Sequence, residues 1–130
     1  MKLRIRGNSI RLRLLRAEVD ALGRKESIVE TTRLGPGSDD KLSYSLKTRT
    51  QEARIQSHWN QGCLQVTISP ELAQALAHTE EVSISEKIDF GQEVLTVLIE
   101  KDFKCLTARP GEDETDNFEN PQESHEWGEK

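Results

Sequence analysis

Apolar and polar residues alternate one for one along much of this chain. In Lys2-Leu3-Arg4-Ile5-Arg6, Leu3 and Ile5 share one side and the cations take the other. Gly7-Asn8 breaks the run, and Ser9 to Leu14 resumes it with Ile10, Leu12 and Leu14 on one side and Arg11 and Arg13 opposite. A period of two around a Gly-Asn turn predicts a β-hairpin. The period then changes. Leu15, Val19 and Leu22 are spaced by four and three, which predicts a short helix over 15–23 that stops at Gly23. The β-branched stretch 27–34 predicts a strand. Gly35 to Asp40 reads as a loop, and Lys41 to Thr48 alternates again with Leu42, Tyr44 and Leu46 inward.

The same order recurs in the second half of the chain. Strands are expected over 53–59 and 63–68 around Asn60-Gln61-Gly62. Ser69-Pro70-Glu71 is a strong helix start, with a capping serine, proline at the first helical position and an acid in the first turn, which places a helix over 69–78. Strands over 81–88 and 93–99 follow. At an offset of 53 to 54 residues, Ile10-Leu12-Leu14 overlies Leu64-Val66-Ile68, Ile28 overlies Val82, and Leu42-Tyr44-Leu46 overlies Leu95-Val97-Ile99. This self-similarity predicts two ββαββ units, about 1–50 and 53–101, related by a rough two-fold axis. The expected fold is therefore α+β: mainly β with two short helices, the duplicated units forming an antiparallel sandwich or barrel that spares exposed edges. The strand with Val94, Leu95, Val97, Leu98 and Ile99 is apolar on both faces and is expected at the centre of a sheet. Leu12, Leu14, Leu46, Leu64, Val66, Leu95, Val97 and Ile99 form the expected core.

Composition refines this outline. The chain has 130 residues, enough for one domain, and 5% aromatic residues. No apolar run approaches the ~20 residues of a spanning helix, and the N-terminus lacks the continuous apolar stretch of a secretory signal. A cytoplasmic protein with no membrane partner is expected. The net charge of −5 hides an asymmetry. Residues 1–110 hold 17 Lys/Arg and 15 Asp/Glu, whereas 111–130 hold eight acids and one Lys. A domain over 1–106 is thus followed by an acidic tail over 107–130, expected to be flexible. A near-neutral body does not favour nucleic acid as a partner.

The opening Met1-Lys2-Leu3-Arg4-Ile5-Arg6-Gly7-Asn8-Ser9-Ile10-Arg11-Leu12-Arg13-Leu14 resembles the start of a family of small bacterial proteins of unknown function. Glu100-Lys101-Asp102-Phe103-Lys104-Cys105-Leu106, with Glu112 to Asp116 and Phe118-Glu119-Asn120-Pro121, resembles its C-terminal signature. The resemblance spans residues 1 to about 121 and implies no activity, cofactor or binding residue.

Two clusters carry candidate chemistry. Arg4, Arg6, Arg11 and Arg13 should crowd the side of the N-terminal hairpin away from the core, with Arg16 following at the helix start. Like charges facing each other in a sheet are unfavourable, and guanidinium groups pair with carboxylate or phosphate in a bidentate fork, so this patch suits an anionic ligand or an acidic protein segment. A merely solvated face, neutralised by nearby acids, is the plainer expectation for such a charge run. The second cluster, Glu100, Asp102, Cys105, Asp113 and Asp116, gathers acids around a thiol. A small hydrolase or metal-dependent enzyme would use these groups, with His58 or His78 as the base for Cys105. No calcium-loop or zinc spacing accompanies them, and neither Cys63 nor Cys105 lies in a C-x-x-C pair, so no metal or cofactor is expected. Phe118, His125 and Trp127 stand as isolated rings in the polar tail, where they could act as docking anchors. The leading expectation is a non-enzymatic binding or regulatory module whose tail competes for its arginine face.

Overall fold

The computed structural model describes residues 1–80 and 82–102. Its elements run β1 (Lys2–Arg6), β2 (Ser9–Leu14), α1 (Arg16–Gly23), β3 (Ile28–Arg33), β4 (Lys41–Thr48), β5 (Ile55–Asn60), β6 (Cys63–Ile68), α2 (Pro70–His78), β7 (Ser83–Asp89) and β8 (Val94–Lys101). Both predicted helices are present, each one residue shorter at its start than expected. Among the described residues the fold is mainly β, with two helices and two four-stranded sheets that do not close into a barrel.

Each half of the chain gives one hairpin to each sheet. Sheet A runs β1-β2-β8-β7 and sheet B runs β3-β4-β6-β5. The expectation of antiparallel sheets is corrected at their centres, where β2 pairs with β8 and β4 with β6 in parallel. The reason is geometric. A tight turn makes an antiparallel pair, but the inner strands of hairpins from different halves meet with no turn between them, and they run the same way. The registers match closely between sheets. Leu12 opposes Leu3 in sheet A as Val66 opposes Ser57 in sheet B. The Thr96 amide donates to Asn8 O as the Ser43 amide donates to Gly62 O, and the Asp102 amide donates to Leu14 O as the Arg49 amide donates to Ile68 O.

One position differs from the sequence reading. Ile84, not Val82, pairs with Ile99 as Ile28 pairs with Leu46. Val82 is exposed and Ile84 is buried. α2 is one residue longer than α1, and β7 begins one residue before Ile84 whereas β3 begins at Ile28 itself, which together shift the match by two; the shorter β7–β8 turn then shifts it back.

The inner faces share a single core. Leu12, Leu14, Leu46, Val66, Val97 and Ile99 are fully enclosed. Leu64 and Leu95 are only half-buried, a correction to the expected core. They lie near the end where the hairpin turns gather, and there the sheets leave room between them. β8 occupies the predicted interior position, between β2 and β7.

The two helices close the opposite end, each leaving a central strand. α2 starts as its sequence dictates, with Ser69 Oγ accepting the Leu72 amide at 3.2 Å. α1 has Leu15 at its cap position and no side-chain acceptor there. Glu18 Oε1 instead takes the Leu15 amide at 2.8 Å. Val19 and Leu22 meet Leu72, Ala73 and Leu76 in the core. Gly23 permits the close approach of the helices, since a Cβ there would stand 2.9 Å from Ala77 Cβ.

Two seams join the sheets along their edges. At one, Arg54 Nη1 reaches Glu86 Oε2 of β7 at 2.6 Å. At the other, the Met1 ammonium is enclosed between Glu18 and Glu30, 3.0 Å from Glu30 Oε2. Tyr44 Oη donates to Met1 O across the same seam. Burial alone would lower the pKa of this amine, but hydrogen bonds and charge from Glu18 and Glu30 outweigh it and hold the amine above its ordinary 8.0. Burial, followed by the charges of Glu30 and Glu18, raises the Tyr44 phenol above its ordinary 10.0.

Candidate functional site

The outward residues of sheet A form a grid set by strand register. One row holds Lys2, Arg13, Glu100 and Ser83. The next holds Arg4, Arg11, Leu98 and Ser85, and a third holds Arg6, Ser9, Thr96 and Lys87. Asp89 and Val94 continue the face toward the β7–β8 turn. Arg4 and Arg11 are direct partners, as are Lys2 and Arg13. Neighbouring strands lie ~4.8 Å apart and alternate residues of one strand ~7 Å apart, so the cations stand in a tight array.

The acids on this face are few and their positions are specific. Glu100 Oε2 receives Arg13 Nε at 2.8 Å and lies 3.7 Å from Arg11 Nε. Lys2 Nζ lies 3.9 Å from Asp102 Oδ2 at the same end. On the inner part of the face one glutamate thus serves two arginines. Arg4 and Arg6 are exposed on the edge strand.

Arg16 is separate from the other four. It opens α1 and lines a cavity of about 510 Å³ with Val19, Asp20, Leu76, Lys101 and Asp102. The strand ends at Leu14 and the helix turns its first residue toward the helix end of the molecule, so Arg16 leaves the grid. Lys87, which the sequence reading passed over, joins the cationic face through the register of β7 against β8. The weak signal for it was its alternation with Ser83, Ser85 and Asp89.

The second candidate cluster is only partly within view. Asp102 is the last described residue; Cys105, Asp113 and Asp116 lie outside the described residues, as do Phe118, His125 and Trp127. Cys63 is free and exposed. His58 faces outward from sheet B beside Gln65, and His78 ends α2, both exposed. Among the described residues, no three His, Cys, Asp or Glu side chains gather to hold a metal ion.

Sequence reasoning also missed a groove at the turn end, lined by Ile10, Trp59, Leu64, Phe90 and Leu95 with Asn8, Ser57 and Glu93 at its polar margin. Trp59 is 64% and Phe90 59% exposed there. Asn8 is held by its own contact, Nδ2 donating to Val94 O at 2.7 Å.

The fold and its charged face define a two-sheet α+β protein with a cationic outer surface on one sheet. The chain belongs to a family of unknown function, DUF7009, whose profile matches residues 1–122. No curated protein and no solved structure matches it. Among the described residues, no helix is long and apolar enough to cross a membrane.

Proposed function

We propose that this protein is a cytoplasmic binding module, not an enzyme, and that the outer face of sheet A takes an anionic ligand or an acidic protein segment. The observation that carries this reading is the register that sets Arg4 against Arg11 and Lys2 against Arg13, beside a single glutamate that serves two of the arginines. Like charges paired across a sheet cost stability unless an anion shares them. Arginine in particular offers a fork to carboxylate or phosphate. We also read the two ββαββ halves as copies of one unit. The matched registers and the equivalent hydrogen bonds at the ends of the central parallel pair in each sheet support that reading, and the arginine face would then be an elaboration of one copy.

The test is binding of inorganic polyphosphate followed by calorimetry. Binding should weaken steeply with salt and be indifferent to a chelator. Arg4→Gln with Arg11→Gln should weaken it at least ~tenfold, about 1.4 kcal/mol. Equal affinity of the double variant and the parent, or loss of binding on chelation, overturns the reading.

A further inference from the structure

We propose that the groove at the turn end is a binding site for a small organic cation, a quaternary or methylated ammonium on a compact apolar body. The site is separate from the outer face of sheet A and takes a ligand of the opposite charge.

The register that builds the core also builds the groove. On the inner face of sheet B, Ile55, Ser57 and Trp59 of β5 oppose Ile68, Val66 and Leu64 of β6. On the inner face of sheet A, Ile84, Glu86 and Ile88 of β7 oppose Ile99, Val97 and Leu95 of β8. Phe90 and Glu93 are the next pair on that face and close the turn, the Phe90 amide donating to Glu93 O at 2.9 Å. Gly91 makes the reversal with a φ of +102°, which glycine adopts without strain. The turn therefore sets a ring and a carboxylate side by side. β5 and β7 are end strands of the two sheets and meet at the Arg54–Glu86 ion pair. Beyond that pair Ser57 is too short to fill the space that Ile55 fills nearer the helices. A cavity of about 510 Å³ opens there, with Ile10, Leu64 and Leu95 as its enclosed part. Small-molecule sites commonly have this size.

Three features select the ligand. First, Trp59 and Phe90 both line the groove and are both exposed. The face of an aromatic ring is negative and attracts a cation, indole most strongly. Second, Glu93 is the one charged side chain in the lining, and it forms no ion pair among the described residues. Third, the polar margin offers acceptors. Asn8 Nδ2 is spent on Val94 O, which leaves Asn8 Oδ1 to accept, and Ser57 Oγ can accept as well. An anion would meet Glu93 with no cationic side chain in the lining to hold it. A neutral apolar ligand would strip water from that carboxylate and give nothing in return. A metal ion needs several oxygen ligands, where the lining holds one carboxylate. An ammonium wrapped in methyl groups meets all three features, because it fills an apolar space, lies against rings and carries the charge that Glu93 lacks a partner for.

A chemical-shift titration of the full chain tests this. The probes are choline and 3,3-dimethyl-1-butanol, in which carbon replaces the charged nitrogen, at constant ionic strength. Trp127→Phe identifies the indole signal of Trp59. Choline should move that signal and the Asn8 side-chain amide, and should bind at least ~tenfold more tightly than the alcohol. Trp59→Leu keeps apolar bulk and removes the ring, and should weaken choline binding ~tenfold; Glu93→Gln should weaken it at least ~threefold. Trp59 and Glu93 are both exposed, so both variants should keep the thermal midpoint of the parent. Equal affinity for choline and the alcohol overturns the cation site, as does choline binding that leaves the groove signals unmoved. Unchanged choline affinity in Glu93→Gln overturns it too. A peptide carrying trimethyllysine that binds ~tenfold more tightly than choline would put the same cation on a protein partner and overturn the small-molecule reading.

Discussion

Sheet A and sheet B share one plan inside and differ outside. Both put a parallel pair at the centre, flank it with hairpin partners in the same register, and feed a helix from one central strand. Leu12, Leu14 and Ile99 in one sheet are enclosed as Val66, Ile68 and Leu46 are in the other. Their outer faces diverge. Where sheet A carries Lys2, Arg4, Arg6, Arg11 and Arg13, sheet B carries Gln56, His58, Asn60, Gln65 and Thr67 at the corresponding strands. Thr67 is even covered: its Oγ1 donates to Gln51 Oε1 at 2.9 Å, and Gln51 Nε2 returns a bond to Thr67 O. The contrast teaches that the inner faces alone define this architecture. The outer faces are free of that constraint, and one of them has gathered cations around Glu100 and Asp102.

The strongest test of the shared plan is truncation in the core. Leu46→Ala and Ile99→Ala replace enclosed residues at matched places, and each should lose ~2–5 kcal/mol in denaturant unfolding with a single transition. A large loss at one and under ~1 kcal/mol at the other would show that the sheets do not share one core. The next test sharpens the difference outside. Lys41→Gln with Lys47→Gln removes two cations from the outer face of sheet B, and polyphosphate affinity should stay within about twofold, against the ~tenfold loss expected from the arginine pair on sheet A. Comparable losses at both faces would reduce the contrast to net charge.

The seams give a smaller effect with a definite sign. The Met1 amine and the Tyr44 phenol both hold their protons more tightly in the folded state. The folded protein therefore binds more protons than the unfolded chain at alkaline pH, and stability falls as pH rises. The contribution of the amine is complete below about 8.0, its ordinary value, and is lost as pH climbs through its raised value; that of Tyr44 is lost above 10.0. The thermal midpoint should drop from pH 7.5 toward pH 10.5. A Gly-Ser extension ahead of Met1 should remove the earlier part of the drop. The Arg54–Glu86 seam has no such amine, so Glu86→Gln should lower the midpoint at pH 7.5 and leave the shape of the alkaline profile unchanged. The smallest effect is expected at Thr48, whose Oγ1 is buried without a hydrogen-bond partner among the described residues. Thr48→Val should stabilise by ~0.5–1 kcal/mol, because it removes an unsatisfied polar atom at nearly constant volume. A destabilised variant would mean that the hydroxyl is satisfied in solution.

Strand and helix positions were legible because alternation and the Ser69-Pro70 start are local signals. The arginine face was legible too, since hairpin register follows from the Gly7-Asn8 turn. The partners of the hairpins were not. Period two says which side of a strand is apolar but not which strand lies next to it, so the parallel pairing of β2 with β8 left no trace in the sequence. For the same reason Glu100 could not be assigned to Arg13, its neighbour across that pair. A fixed offset points to Val82 in place of Ile84 because it cannot register a helix one residue longer and a strand that starts one residue ahead of its buried position. Arg16 was grouped with the strand arginines by nearness in sequence, although one residue of helix start changes the direction of its side chain.

The exchange of hairpins between sheets also bears on the order of assembly. Sheet B draws its strands from the middle of the chain, β3 to β6, so its contacts close over short loops. Sheet A joins the first hairpin to the last. During synthesis β1 and β2 emerge first and β8 last, so β2 waits with one edge bare until its neighbour arrives. Contacts between distant segments are slow to form, and bare edges invite association in the interval. The arginines of the first hairpin repel one another and like copies of themselves, which keeps that waiting edge from pairing with another nascent chain.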